Sequence, residues 1–207
     1  MSDKKPYLLG VSGGSASGKT YLLKQLMNRL PAHQVTLISQ DNYYKDLEFQ
    51  TLNEEGRINF DHPDALDLDR FIGDIEKLIA GQTIQIREYT FNNPNVVPAI
   101  LTYKPSPIIV IEGLFIYYRP ELRNLLNLKV FVDADEHIKL SRRILRDYAE
   151  RGYRVEDILA QYEKDVIPMY NTFVKPFKDT CDLIIPNNHH MEKAIDVLLD
   201  HLILRTK

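Results

Sequence analysis

Cysteine is almost missing from this 207-residue chain, with Cys181 the only one. That excludes an intrachain disulfide and suits a reducing compartment, so a cytoplasmic protein is expected. Long hydrophobic runs are missing too. The strongest, Ile108-Ile109-Val110-Ile111, is broken by Glu112, far short of a membrane span. The opening Met1-Ser2-Asp3-Lys4-Lys5-Pro6 has lysines without a long apolar stretch behind them, so no secretory leader is expected. No excess of positive charge exists: 26 Lys and Arg stand against 29 Asp and Glu, a net charge of −3, which speaks against sequence-independent nucleic-acid binding. There is no internal repeat or low-complexity tract. His189-His190 has no other Cys/His cluster to join, and reads as a surface loop rather than a metal site.

What is present is ordinary for a globular protein, with 44% hydrophobic and 27% charged residues, and the length suits one domain over 1–207. The charge is uneven, however. Residues 41–76 hold eleven acids and three bases, and residues 139–151 five bases and two acids. These are either two solvated faces or an anion-handling segment opposite a carboxylate segment.

Short apolar runs at 7–11, 35–38, 108–111, 129–132 and 183–185 read as buried strands. Periodic stretches at 20–30, 66–79, 137–151, 155–170 and 191–204 read as helices. Pro31, Gly81 and Gly152 stop three of them. Residues 42–63 read as loop or short helix, and the alternating 83–89 with the β-prone 100–104 as a hairpin excursion over about 83–104. Strands alternating with helices imply an α/β fold, a parallel sheet covered on both faces. Ligands then bind beyond the carboxyl ends of the strands.

Gly13-Gly14-Ser15-Ala16-Ser17-Gly18-Lys19-Thr20 matches G-x-x-x-x-G-K-[ST], after a predicted strand and opening a predicted helix. Glycines let successive N–H groups converge on phosphates, Lys19 reaches the terminal phosphates, and Thr20 offers a hydroxyl to Mg²⁺. The GTPase companions are missing: no glycine has Asp three residues before it, and Asn-Lys does not occur. A small-molecule kinase needs a carboxylate to take the acceptor's proton and positive charge over the moving phosphoryl group. Asp41 follows the second strand and lies beside the P-loop strand if sequence neighbours pair in space. Glu112 ends a fully apolar strand, where a buried charge needs a partner, either Mg²⁺ or Lys19. Arg142, Arg143 and Arg146 share a helix with Arg151, and read as a lid over phosphate at about 136–154. Phe60-Asp61-His62-Pro63-Asp64 and Tyr89-Thr90-Phe91 read as a pocket for a flat, hydroxylated substrate, with Asp61 accepting from sugar hydroxyls.

The chain resembles the uridine kinase (uridine–cytidine kinase) family of P-loop kinases. The resemblance rests on residues 13–20 and on Gln40-Asp41-Asn42-Tyr43-Tyr44, Asn59-Phe60-Asp61-His62-Pro63-Asp64-Ala65, Tyr89-Thr90-Phe91 and Ile111-Glu112-Gly113. Further along it rests on Phe131-Val132-Asp133, Arg142-Arg143-Ile144-Leu145-Arg146-Asp147, Glu150-Arg151-Gly152, Gln161-Tyr162 and Ile184-Ile185-Pro186. It implies a P-loop kinase fold with a parallel five-stranded core sheet, a β-hairpin, a helical lid and often a homotetramer. It implies phosphorylation of the 5′-hydroxyl of uridine or cytidine by ATP with Mg²⁺. Residue by residue, it implies Asp41 as general base and Tyr44, Phe60, Asp61, Tyr89 and Phe91 around the nucleoside. It further implies Arg143, Arg146 and Arg151 on phosphate and substrate, and Gln161 on the base. Two positions depart from the pattern. Pro94 stands where many members have a base-contacting histidine, and Tyr153 where they have arginine after the lid glycine. These departures keep open a second acceptor class, another small sugar-like alcohol.

Overall fold

The computed structural model describes residues 5–52, 56–90 and 96–205. Its centre is a five-stranded parallel sheet built from β1 (Tyr7–Ser12), β2 (Val35–Ser39), β5 (Ile108–Glu112), β6 (Leu128–Asp133) and β7 (Leu183–Pro186). The spatial order is β2-β5-β1-β6-β7. A separate antiparallel pair, β3 (Ile84–Arg87) and β4 (Ile100–Tyr103), forms the hairpin excursion.

The strands are apolar on both faces because both faces are covered. On β5, Ile109 and Ile111 join one core while Ile108 and Val110 join the other. On the first face they meet α2 (Leu68–Ile79), the hairpin's Ile84 and Ile86, and Leu122 of α3 (Pro120–Leu125). On the second they meet α1 (Lys19–Arg29) and α7 (Glu192–Arg205) through Leu22, Leu26, Ile195 and Leu199. Each such side chain contributes about 1.5–3 kcal/mol relative to its exposed state.

Local signals explain most helix ends. Asp67 accepts from the Arg70 N–H at 3.0 Å and starts α2. Beyond its end, Gly81 N–H donates to Leu78 and Gln82 N–H to Lys77, the paired bonds of a Schellman stop. α4 (Glu136–Arg151) ends at Gly152, which is left-handed at φ 70°.

Two expectations need correction, and one short element went unread. Helix 155–170 is three pieces, α5 (Val155–Gln161), a π turn at Tyr162–Val166 and α6 (Ile167–Phe173). Pro168 has no N–H to give, and the wider turn moves the chain off the regular bonding pattern just before it. The short helix α3 has too few turns to show a period in sequence. The largest correction concerns β2, which does not pair with the P-loop strand β1. β5 lies between them, with Ser39 opposite Glu112 and Val11 opposite Glu112 from the other side. A parallel pair needs a crossover, and the crossover after β1 passes one strand position before β2 enters.

The fully buried Tyr117 hydroxyl lies 2.8 Å from both the Gly10 and Val130 carbonyls, stitching the β1–β6 pair. Tyr117→Phe should therefore lower unfolding free energy by about 1–3 kcal/mol, the usual cost of an unpaired buried polar group. Urea unfolding followed by circular dichroism measures it, and an unchanged midpoint would show the contact to be neutral.

Candidate active site

β1 runs straight into the phosphate loop, and α1 opens at Lys19. The loop needs glycine where its backbone turns left-handed and where neighbours crowd it. At Gly13 (φ 150°) a Cβ would lie 2.2 Å from the Val132 carbonyl oxygen. At Gly18 (φ 107°) a Cβ would lie 2.1 Å from the Asn187 amide nitrogen. Asn187 is buried and donates to the Ser17 carbonyl at 2.8 Å, bracing the loop from the β7 side. No acidic residue occupies the first turn of α1, so the helix dipole is open to an anion. Lys19 Nζ donates to the Gly13 and Gly14 carbonyls at 2.8 and 3.1 Å, folded against the loop that would hold phosphate.

The loop forms one end of a cleft of about 930 Å³. Ser15, Ala16, Gly18, Lys19 and Thr20 line that end, while Asp41 and Glu112 line the middle. Tyr44, Phe60, Asp61, Tyr89 and Gln161 line the cleft as well, together with Arg142, Arg143, Arg146 and Arg151. Glu112 follows from β5, and Asp41 from the turn that β2 makes beside it. Gly14 and Ser17 belong to the loop's turn, with Ser17 N–H donating to the Gly14 carbonyl at 3.1 Å. Phe91 and Pro94 lie outside the described residues.

The centre is electrostatically tense. Burial lowers the Lys19 ammonium from its ordinary value, against the pull of Glu112 and Asp41. Burial raises the Asp41 carboxyl, against the pull of Lys19. Glu112 is pushed up to about 7, first by burial and then by the neighbouring Asp41 charge. Two carboxylates this close, with one half-buried ammonium, leave room for added positive charge. The donor set of Thr20 hydroxyl, Glu112 and Asp41 is all oxygen and fits Mg²⁺. That ion commonly takes one or two carboxylates together with substrate phosphates.

At the far end, Tyr44 stacks obliquely on Tyr89 at 4.9 Å and meets Phe60 edge-on at 5.8 Å. Its hydroxyl donates to the Phe60 carbonyl. Asn42 carries the hairpin to this wall, accepting from the Tyr89 N–H at 3.1 Å. Buried Asp61 faces Arg143 at 3.8 Å, and burial raises its carboxyl against that arginine's pull.

Arg143 is not a free lid arginine. It is 4% exposed, donates to Ser15 Oγ and Gln161 Oε1 at 3.1 Å each, and pairs with Asp147 at 3.2 Å. It thus ties the phosphate loop to the acceptor end. Asp147, 1% exposed, also takes Arg146 at 2.8 Å and Arg151 at 3.2 Å. The sequence reading did not single out Asp147, yet its position four residues after Arg143 and four before Arg151 is a legible helix-face signal. Asn187 carried no signal, because only the fold brings β7 to the loop. His189 and His190 are exposed, His190 beside Glu192 at 3.3 Å.

Comparison with known proteins bears on the family and the fold. The family model described as "Phosphoribulokinase / Uridine kinase family" matches residues 8–193. A uridine kinase of Chloroflexus aggregans is 41% identical over 194 residues, covering 94% of this chain and 93% of that protein. Uridine kinase-like protein 5 of Arabidopsis thaliana is 38% identical over 204 residues, 99% of this chain but 43% of that longer protein. Thus the chain spans nearly the whole of the first relative and less than half of the second. The solved phosphoribulokinase of Rhodobacter spheroides shares the fold, with a TM-score of 0.55 at 18% identity over 81% of this chain and 67% of that one. With its P-loop, its cleft and its parallel sheet in the order β2-β5-β1-β6-β7, this chain belongs to the phosphoribulokinase and uridine kinase family of P-loop kinases.

Proposed function

We propose that the chain transfers the γ-phosphoryl group of ATP to the 5′-hydroxyl of a pyrimidine nucleoside, uridine or cytidine. The observation that carries this reading is Asp41 on the wall of a single cleft, between a phosphate loop and a pocket of aromatic rings around Asp61. A nucleoside has the matching chemistry. Its ribose hydroxyls donate to Asp61, its flat base lies against Tyr44, Phe60 and Tyr89, and Gln161 offers an amide to the base. The relatives that carry the name uridine kinase support a nucleoside over another sugar-like alcohol. Tyr153 does line the cleft, but on the acceptor side it is one residue among several.

In this mechanism the Asp41 carboxylate accepts the proton of the 5′-hydroxyl as its oxygen attacks the γ-phosphorus. The bond from that phosphorus to the β,γ-bridging oxygen breaks, leaving ADP and the nucleoside monophosphate. Lys19 turns from the loop carbonyls to the phosphate oxygens, and Arg143, Arg146 and Arg151 meet the charge spread over the transferring group. Thr20, Glu112 and Asp41 would hold Mg²⁺, which when bound neutralises charge on the β- and γ-phosphates. The reading brings with it residence in the cytoplasm, suited to a lone thiol, and the homotetramer that family resemblance implies.

Asp41→Asn should lower kcat by about 10²–10⁴ while ATP affinity stays within about threefold. Single-turnover rates with uridine and cytidine, beside calorimetric ATP binding, measure this. A near wild-type rate would remove Asp41 as the base.

Arg146 and Arg143 should part company. Arg146, half-buried on the cleft roof, should lose about 10²–10³ in kcat/KM on change to Ala with little change in melting temperature. Arg143→Ala should lose activity and also stability, because it leaves Asp61 and Asp147 buried with less compensation. Thermal melts beside steady-state kinetics separate the two, and identical melting behaviour would contradict the split.

A further inference from the structure

The strand order creates a problem that Ser39 and Gln40 solve. β2 stands one strand away from the P-loop strand, so Asp41 has to be carried across the end of β5 to reach Lys19. Ser39 and Glu112 are register partners at the ends of β2 and β5. The Ser39 hydroxyl donates to Glu112 Oε1 and accepts the Asp41 N–H at 3.2 Å, so one oxygen touches both the carboxylate and the base's backbone. Gln40, 1% exposed, continues the same seam. Its Oε1 accepts the Phe115 N–H at 2.9 Å, and its side chain lies so close to Gly113 that a Cβ there would come within 2.5 Å of it.

We propose that Ser39 and Gln40 are positioning residues that lock Asp41 and Glu112 into one rigid unit across the β2–β5 edge. Neither side chain lines the cleft, so neither is a group that touches substrate. They act by holding two like-charged carboxylates together and at a constant distance from Lys19. Left alone, the repulsion between those carboxylates would drive them apart. Gln40 wedged against Gly113 stops the 113–115 loop from drifting, and Ser39 stops Glu112 from rotating off the β5 end. The inference rests on the reading of Asp41 as base and Glu112 as metal-binding carboxylate.

The test is a double-mutant cycle on the full chain, with uridine and cytidine as acceptors. Ser39→Ala should lower kcat by about 10–100-fold, the usual cost of losing an outer partner of a metal-site ligand, with KM for the acceptor little changed. Ser39→Thr, which keeps the hydroxyl, should recover most of the rate. Combined with Glu112→Gln, Ser39→Ala should cost less than it does in the wild-type background, because one of the two partners it acts through is already altered. Gln40→Met keeps volume against Gly113 but drops the bond to Phe115, and should behave like Ser39→Ala. If it does not fold, the Ser39 cycle stands by itself. Additive losses overturn the proposal, as does a Ser39→Ala enzyme with a lowered melting temperature and wild-type kcat. If Asp41→Asn and Glu112→Gln are themselves near wild type, the reading of the site fails instead.

Discussion

Five parallel strands end on one edge, and everything this chain can do with phosphate depends on that edge. A parallel sheet turns all its strand ends the same way, so the segments following β1, β2, β5 and β6 converge. The phosphate loop follows β1, the turn carrying Asp41 follows β2, and Glu112 closes β5. The helices that cover the two faces keep water from the strands but leave this edge open as a cleft.

The edge concentrates charge of both signs, and the pattern is more consequential than the total. Asp41 and Glu112 sit with half-buried Lys19 at the floor, while a roof of arginines is organised around one carboxylate, Asp147. Three arginines held by a single buried acid keep a surplus of positive charge and a rigid geometry. Such a roof suits a group whose negative charge is spread over several oxygens. Arg143 extends this roof to both ends of the cleft through Ser15 and Gln161, so the phosphate loop and the acceptor wall share a structural member.

Much of this was legible in the chain itself. The strands read as uninterrupted apolar runs because both sheet faces are buried, and α2 read as a helix because its apolar residues recur at three and four. The phosphate loop is local chemistry, eight consecutive residues whose types answer to one ligand, so its role needed no tertiary information. Asp41 and Glu112 could be picked out as charges at the ends of apolar strands, Asp61 as an acid within an aromatic, polar stretch, and the arginines as a cluster on one helix. The neighbour of β2 was not legible, since strand pairing between distant segments leaves no mark in either one. The π turn before Pro168 escaped for a different reason: a proline near a helix end signals a break without saying how the backbone absorbs it.

The sequence by itself determined the class of fold, the phosphate loop and the set of groups available for chemistry, because these depend on residue type and short-range spacing. Only the tertiary structure decided that β5 separates Asp41 from the P-loop strand, that Ser39 and Gln40 bridge the gap, that Asn187 braces Ser17 from 170 residues away, and that Arg143 is buried rather than free. Those facts follow from which strands lie side by side and which helices cover them. That arrangement is settled by packing the whole chain at once, and no stretch of residues carries it alone.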